Sequence, residues 1–366
     1  MLDCLVIGAG QAGLAVAYGL SERGVPSLAL EAHPRVGDVW RRRWAGLRLF
    51  TPGRYNALPG SPFPGPPYGL PDRLAVADYL EAYAREHALD VRTERKAIAV
   101  EPLPGETGFS VATDAGEAFA ARALVVAAGA YRTPRRPGFA ARLPPGLPAA
   151  HSSEVADPAG WLPGAGHHVL VVGAGASGTQ LAQRLARRHR VTLAGRDPGH
   201  LPRRVLGRDV YDLLYGTQLL RTRVDSPAGR LFARAPASGE IRVGRAVDAL
   251  AAEAGIARAG RIVDFDGAFL AADGRAVRGV DAVVFATGYR NAYPMLTGLP
   301  GALAADGSPA QRLGRSAVLG LWWVGLHRMR RVNSSLLGGV GHDAREIADE
   351  VAAYLRRGRP RGSTSR

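Results

Sequence analysis

The chain has 366 residues, 46% of them hydrophobic, enough for two cores of ordinary domain size. Its formal charge of +15 invites a nucleic-acid partner, but that charge is almost all arginine (Lys96 is the one lysine) and is interspersed with acidic residues, so no basic arm forms and nucleic acid is set aside. Cys4 is the one cysteine, which excludes an intrachain disulfide and a dithiol relay and makes a reducing cytoplasm the expected setting.

The first residues are apolar, yet Asp3 stands where a signal segment needs positive charge, and Gly8, Gly10 and Gly13 interrupt the run. No apolar run reaches membrane-spanning length, so no membrane partner is expected. Leu2–Ile7 instead reads as a buried parallel strand. Gly8-Ala9-Gly10-Gln11-Ala12-Gly13 follows, then a helical pattern over Leu14–Arg23, then a second strand, Ser27–Leu30, ending at Glu31.

The same module returns later. His168–Val172 leads into Gly173-Ala174-Gly175-Ala176-Ser177-Gly178, a helix through Arg187, and the strand Val191–Ala194, ending at Gly195-Arg196. Gly8 to Glu31 and Gly173 to Arg196 are both 23 positions. In such a βαβ unit the first glycine lets the chain turn out of the strand, the second lets backbone approach a pyrophosphate, and the third lets helix and strand pack. The phosphates then meet the free N–H groups of a helix N-terminus. One copy is weak support; two copies with a discriminating residue at one distance predict two dinucleotide sites.

The discriminating residues differ in charge. Glu31 accepts hydrogen bonds from a ribose diol and repels a 2′-phosphate, which suits FAD or NAD. Arg196, beside the small Gly195, suits the 2′-phosphate of NADPH. A second repeat supports the pairing: Ala123–Arg132 and Ala282–Arg290 are apolar strands that end in small residues, with Ala128-Gly129 and Ala286-Thr287-Gly288 placed to pass close to a cofactor. Pro198–Phe232, rich in Arg, Leu and Tyr, reads as an insertion over the substrate or nicotinamide side, ahead of a strand at Ile262–Phe265. No metal site stands out, since His167 and His168 would face opposite sides of a strand. Asp343 and Glu346 have the spacing of a capping box ahead of a helix over Ala344–Arg356.

With these motifs the chain resembles the flavin-containing monooxygenases, the single-component FAD- and NADPH-dependent class, over nearly its whole length. Further matches are Glu31 through Arg41 (with Gly37, Val39 and Trp40), Trp44, Leu47-Arg48-Leu49-Phe50-Thr51-Pro52, Leu58-Pro59-Gly60, Pro62-Phe63-Pro64, and Gly338-Gly339-Val340-Gly341-His342-Asp343-Ala344. The family's FxGxxxH fingerprint is incomplete: Leu143 through Ser153 keeps His151-Ser152, lacks the Phe, and has its glycine one residue too far upstream.

The resemblance implies an α/β architecture of two doubly wound Rossmann-type domains, with the NADPH domain (156–280) inserted into an FAD domain made of 1–155 and 281–366. It implies hydride transfer from NADPH to FAD and oxygenation of a soft nitrogen or sulfur nucleophile through a C4a-(hydro)peroxide. Gly37, Val39, Trp40, Arg41 and Trp44 would lie at the flavin, Asp343 would cap the helix facing it, and Arg41, Thr51 and His342 are the catalytic candidates. A small-molecule substrate and O2 are the implied partners, with a homodimer as an allowed assembly. Rival readings are an NADPH oxidase or reductase, a Baeyer–Villiger enzyme, and a nucleotide-sensing protein without turnover.

Overall fold

The computed structural model describes residues 1–105, 107–129, 133–233 and 242–357. Two parallel sheets organise it. The first centres on β1 (Leu2–Ile7), flanked on one side by β2 (Ser27–Leu30) and β3 (Val91–Arg92), and on the other by β6 (Ala118–Val126) and the late strand Leu321–Trp323. β6 also carries an antiparallel extension through β5 (Phe109–Thr113) and β4 (Ala97–Pro102). The β1 register runs Cys4 to Ser27 on one side and Cys4 to Ala123 on the other, so β1 is paired on both edges and Cys4–Ile7 is buried and apolar.

Helix α1 (Gln11–Ser21), helix α3 (Arg73–Glu86) and the terminal helix Val340–Arg357 cover one face of this sheet, around Val6, Leu14, Leu80, Val125 and Ile347. α1 lies tight on the terminal helix: a Cβ at Gly19 would sit 3.0 Å from the Ala348 methyl.

The second sheet runs, all parallel, Ala257–Ala259, β10 (Arg190–Ala194), β9 (His168–Val172), Ala282–Phe285 and β8 (Ala149–His151). Helix α4 (Ala176–Leu185) packs on one face; a three-stranded antiparallel sheet over Ile262–Val277 packs on the other. Ile262–Phe265 is the expected strand and lies in this antiparallel layer; the parallel sheet is continued by Ala257–Ala259. β8, before the border expected at 155/156, and Ala282–Phe285, after the one expected at 280/281, both pair within the second sheet. Each crossing strand is held by ladder bonds to a β9-centred core before the chain leaves it.

The two crossings meet beyond those strands. β7 (Thr133–Pro134) pairs antiparallel with Tyr289–Arg290. Tyr131 and Arg132 of the first small-residue strand end lie outside the described residues.

Candidate functional site

Both glycine turns adopt one geometry. Gly8 has φ +104°, and a Cβ there would come within 2.6 Å of the Ala127 carbonyl oxygen. Gly173 has φ +113°, and its Cβ would come within 2.3 Å of the Ala286 carbonyl oxygen. Cβ atoms at Gly13 and Gly178 would stand 1.8 Å from the Gly8 carbonyl oxygen and 1.7 Å from that of Gly173. These four glycines are required by backbone packing.

The middle glycines are different. A Cβ at Gly10 or Gly175 would meet nothing within 4 Å, and each residue is the N-cap of its helix with no side-chain cap. Open space therefore borders an uncapped helix N-terminus in both copies, which is what a pyrophosphate requires. Ser177, in the first turn of α4, is half-buried beside that opening.

The discriminating residues take opposite postures. Glu31 is 9% exposed; its carboxylate accepts the Ala9 N–H at 3.2 Å and the His33 N–H at 3.0 Å, so it is fixed to the rim of its own cradle. Arg196 is exposed and bonds to no described residue. Gly195 occupies the position equivalent to Leu30, and its missing Cβ would lie 3.0 Å from the Ala174 amide nitrogen. The strand end therefore presses onto the second cradle while the guanidinium stays in solvent.

Trp40 is half-buried and its Nε1 donates to Gln11 Oε1 at 3.3 Å, next to Gly10. That position keeps it at the first cradle. Its expected companions have partners within the protein. Gly37 (φ +87°) serves packing, since a Cβ would fall 2.5 Å from the Ala77 carbonyl oxygen on α3. Val39 is 40% exposed. Arg41 donates to Val36 O (2.7 Å), Asp38 (3.1 Å), Asp78 (3.0 Å) and Glu81 (2.7 Å), so it ties α2 (Asp38–Arg41) to α3. Trp44 is 3% exposed inside the core of the second domain, with Leu47, Val155 and Leu181.

Thr51 is half-buried, and its carbonyl accepts from Asn56 Nδ2 at 3.0 Å; Asn56 holds Pro52 O as well. The glycine run near the carboxyl end packs on this turn: a Cβ at Gly338 would meet the Tyr55 carbonyl oxygen at 1.6 Å. The terminal helix starts at Val340, so Asp343 is in its first turn and is no cap. Asp343 is fully buried and pairs with Arg331 at 2.8 Å, while Glu346 pairs with Arg330 (2.8 Å), Arg223 (3.1 Å) and Arg331. Burial pushes the Asp343 carboxyl above its ordinary range. Burial opposes ionisation of Glu346 too, but its arginines prevail and bring it to about 2. The expected capping box is thus an ion-pair network that fastens Arg223 of the insertion to the terminal helix. His342, also in the first turn, is half-buried; burial, then Arg221, Arg331 and Arg345, lower its pKa.

Small-residue strand ends meet the cradles through Ala127 and Ala286. Ala127 escaped the sequence reading by one position; aligning the two strand ends on their glycines would have found it. Ala128 packs against the other face of the first sheet, and the Gly129 carbonyl accepts from Tyr293 OH at 3.2 Å. Thr287 Oγ1 donates to the Arg135 carbonyl, and the Gly288 carbonyl accepts the Arg135 N–H at 2.9 Å and bonds His151 Nε2 at 3.0 Å. Beyond Ala286 the second strand end therefore also joins the hinge. His151 is fully buried there, its Nδ1 2.8 Å from Ser153 Oγ, and burial lowers its pKa. The incomplete fingerprint keeps the residue that does the hinge work.

The insertion forms its own small core. Val210, Tyr211 and Tyr215 pack with Phe50 and Tyr55 of the first domain, and the Tyr55 and Tyr215 rings stack at 4.3 Å. Asp212 accepts from Tyr55 OH and from Tyr68 OH, the latter at 3.1 Å. Residue types alone gave no signal for this seam, because its partners are 157 positions apart.

Two uncapped phosphate cradles on adjoining parallel sheets define a dinucleotide-binding oxidoreductase of the flavoprotein class. The profile of the family described as pyridine nucleotide-disulphide oxidoreductase matches residues 5–205. The CzcO-like oxidoreductase of Geobacillus kaustophilus is 32% identical over 353 residues, 96% of this chain and 98% of that protein. The indole-3-pyruvate monooxygenase YUCCA1 of Oryza sativa is 34% identical over 220 residues, 57% of this chain and 52% of that one. A flavin-containing monooxygenase from Stenotrophomonas maltophilia has a similar structure, with TM-score 0.76, 27% identity, and coverage of 96% of this chain and 98% of that one. The chain belongs to the pyridine nucleotide-disulphide oxidoreductase family. Cys4 is buried in β1 and burial pushes its thiol far up, so it is inert as a disulfide-exchange nucleophile.

Proposed function

We propose that the protein is an NADPH-dependent flavoprotein monooxygenase, with FAD in the Gly8–Gly13 cradle and NADPH in the Gly173–Gly178 cradle. The observation that carries this is the contrast between Glu31, bound to the rim of its cradle, and Arg196, presented to solvent beside the other. When bound, FAD supplies the redox chemistry: it accepts hydride from NADPH and activates O2, one oxygen atom going to a soft nitrogen or sulfur nucleophile and the other to water.

The chain's own residues bind and orient. The uncapped helix starts at Gly10 and Gly175 receive the pyrophosphates. Glu31 holds the ribose of FAD through a carboxylate already oriented by the Ala9 and His33 amides. Arg196 pairs with the 2′-phosphate of NADPH. Trp40 stands at the first cradle as an apolar wall, and the insertion is seated on Phe50 and Tyr55 of the first domain. No general acid or base is assigned, because the cofactor performs the difficult step.

The test is steady-state turnover of FAD-loaded protein with NADPH and NADH across a panel of amines and sulfides, measuring oxygenated product and hydrogen peroxide. A strong preference for NADPH with product matching NADPH consumed is expected. Equal use of both nicotinamides would remove the assignment of Arg196, and peroxide equal to NADPH consumed under every substrate would make the enzyme an oxidase. The incomplete fingerprint, Leu143 through Ser153, favours the oxidase as second reading.

A further inference from the structure

The loop after α2 belongs by sequence to the first domain and by packing to the second. Trp44 and Leu47, 3% and 8% exposed, are part of the second domain's core. The Ala45 N–H donates to the Ala156 carbonyl at 2.7 Å. Arg48 and Gln180 bond reciprocally, Arg48 N–H to Gln180 Oε1 (3.2 Å) and Gln180 Nε2 to Arg48 O (3.1 Å). Arg184 donates to Gly46 O at 2.7 Å, and Gly46, at φ +81°, leaves the space its guanidinium fills: a Cβ would lie 2.0 Å from Arg184 Cζ. Arg43 donates to Tyr289 OH at 2.6 Å, at the paired crossings.

The two ends of this segment reach the two cradles. Trp40, which packs against both cores, bonds Gln11, the first residue of α1 after Gly10. Gln180 and Arg184 are on α4, the helix that starts at Gly175. A continuous run of contacts thus links one phosphate-binding helix to the other without passing through the hinge.

We propose that Arg43–Arg48 is a positioning element that locks the two cradles in register, so that hydride passes between bound nucleotides without rotation about the crossings. This rests on the FAD and NADPH reading above. It assigns to Trp44 and Gly46 an effect on the rate of flavin reduction and none on the affinity for either nucleotide. Reaction between two bound groups depends steeply on their separation, so a shift of about 1 Å is worth up to about a hundredfold in rate.

Two measurements on FAD-loaded protein test it, with the variants Trp44→Ala, Trp44→Phe and Gly46→Ala. The first is limited trypsin digestion, read by mass spectrometry for cleavage after Arg41, Arg42, Arg43 or Arg48. The second is anaerobic reduction by NADPH, giving a limiting rate and a half-saturating concentration. The native segment is expected to resist trypsin and to be cut in Gly46→Ala and Trp44→Ala. In both, the limiting rate falls at least about tenfold while half-saturation stays within about twofold, and Trp44→Phe recovers most of the rate. Unchanged limiting rates, or a native segment cleaved as fast as the variants', overturn the proposal. If native protein is not reduced by NADPH, the functional reading fails, and the trypsin result alone decides whether the segment locks the domains.

Discussion

The two cradles place their glycines alike and differ in the charge of the residue that ends the second strand. Outer glycines press on backbone oxygens 1.7–2.6 Å from where a Cβ would be, and middle glycines face open space. At the discriminating position the first copy turns inward: Glu31 accepts two amides of its own rim. The second turns outward: an arginine cannot accept the Ala174 N–H, and Arg196 stays in solvent. Close backbone packing preserves the shape of the module, while one side chain decides the sign of charge offered to the ligand.

The largest effects should come from breaking the shared part. Gly13→Ala or Gly178→Ala puts a methyl into a backbone oxygen of the adjacent turn. Neither variant should give a cooperatively folded protein, by thermal unfolding of purified material. Gly10→Ala and Gly175→Ala should fold with unchanged thermal midpoints and lose flavin or nicotinamide respectively, read by flavin absorbance and NADP⁺ titration. Loss of fold in the middle-glycine variants would show that those positions also serve packing.

The contrast in charge should be sharpened by Arg196→Ala. Losing a charge-assisted bond worth about 1.5–3 kcal/mol should raise the KM for NADPH roughly tenfold or more and leave that for NADH unaltered. Equal effects on both cofactors would mean that the residue acts on the loop and not on the phosphate.

Arg41→Ala should cost about 1–3 kcal/mol in urea unfolding, because Asp38 and Glu81 lose a largely buried partner, yet flavin reduction by NADPH should be unchanged. A fall in the reduction rate without loss of stability would return Arg41 to the flavin.

The smallest effect is one of pH, at the hinge between the cradles. His151 is buried, with its folded pKa below the ordinary histidine value, so it favours the neutral state on folding. Its contribution is complete above about pH 6.5 and is lost as pH falls through the lower folded value, since the unfolded chain then binds the proton more readily. His189 and His342 shift in the same direction. Stability should decline from pH 7 toward 5, and His151→Gln should flatten part of that slope in a series of thermal melts.

Both cradles, the 23-residue spacing and the class of the protein were legible in the sequence because they are local. A strand, a glycine turn and a helix are set by neighbours a few residues apart, and the repeat doubled the signal. Glu31 and Arg196 were readable for the same reason. What only the tertiary structure decided was the destination of long side chains. Arg41 met carboxylates on a helix nearly forty positions on, Trp44 entered the other domain's core, and Asp343 paired with Arg331 where a helix cap was expected. Charged and aromatic side chains have several energetically comparable partners, and chain topology selects among them by bringing one within reach.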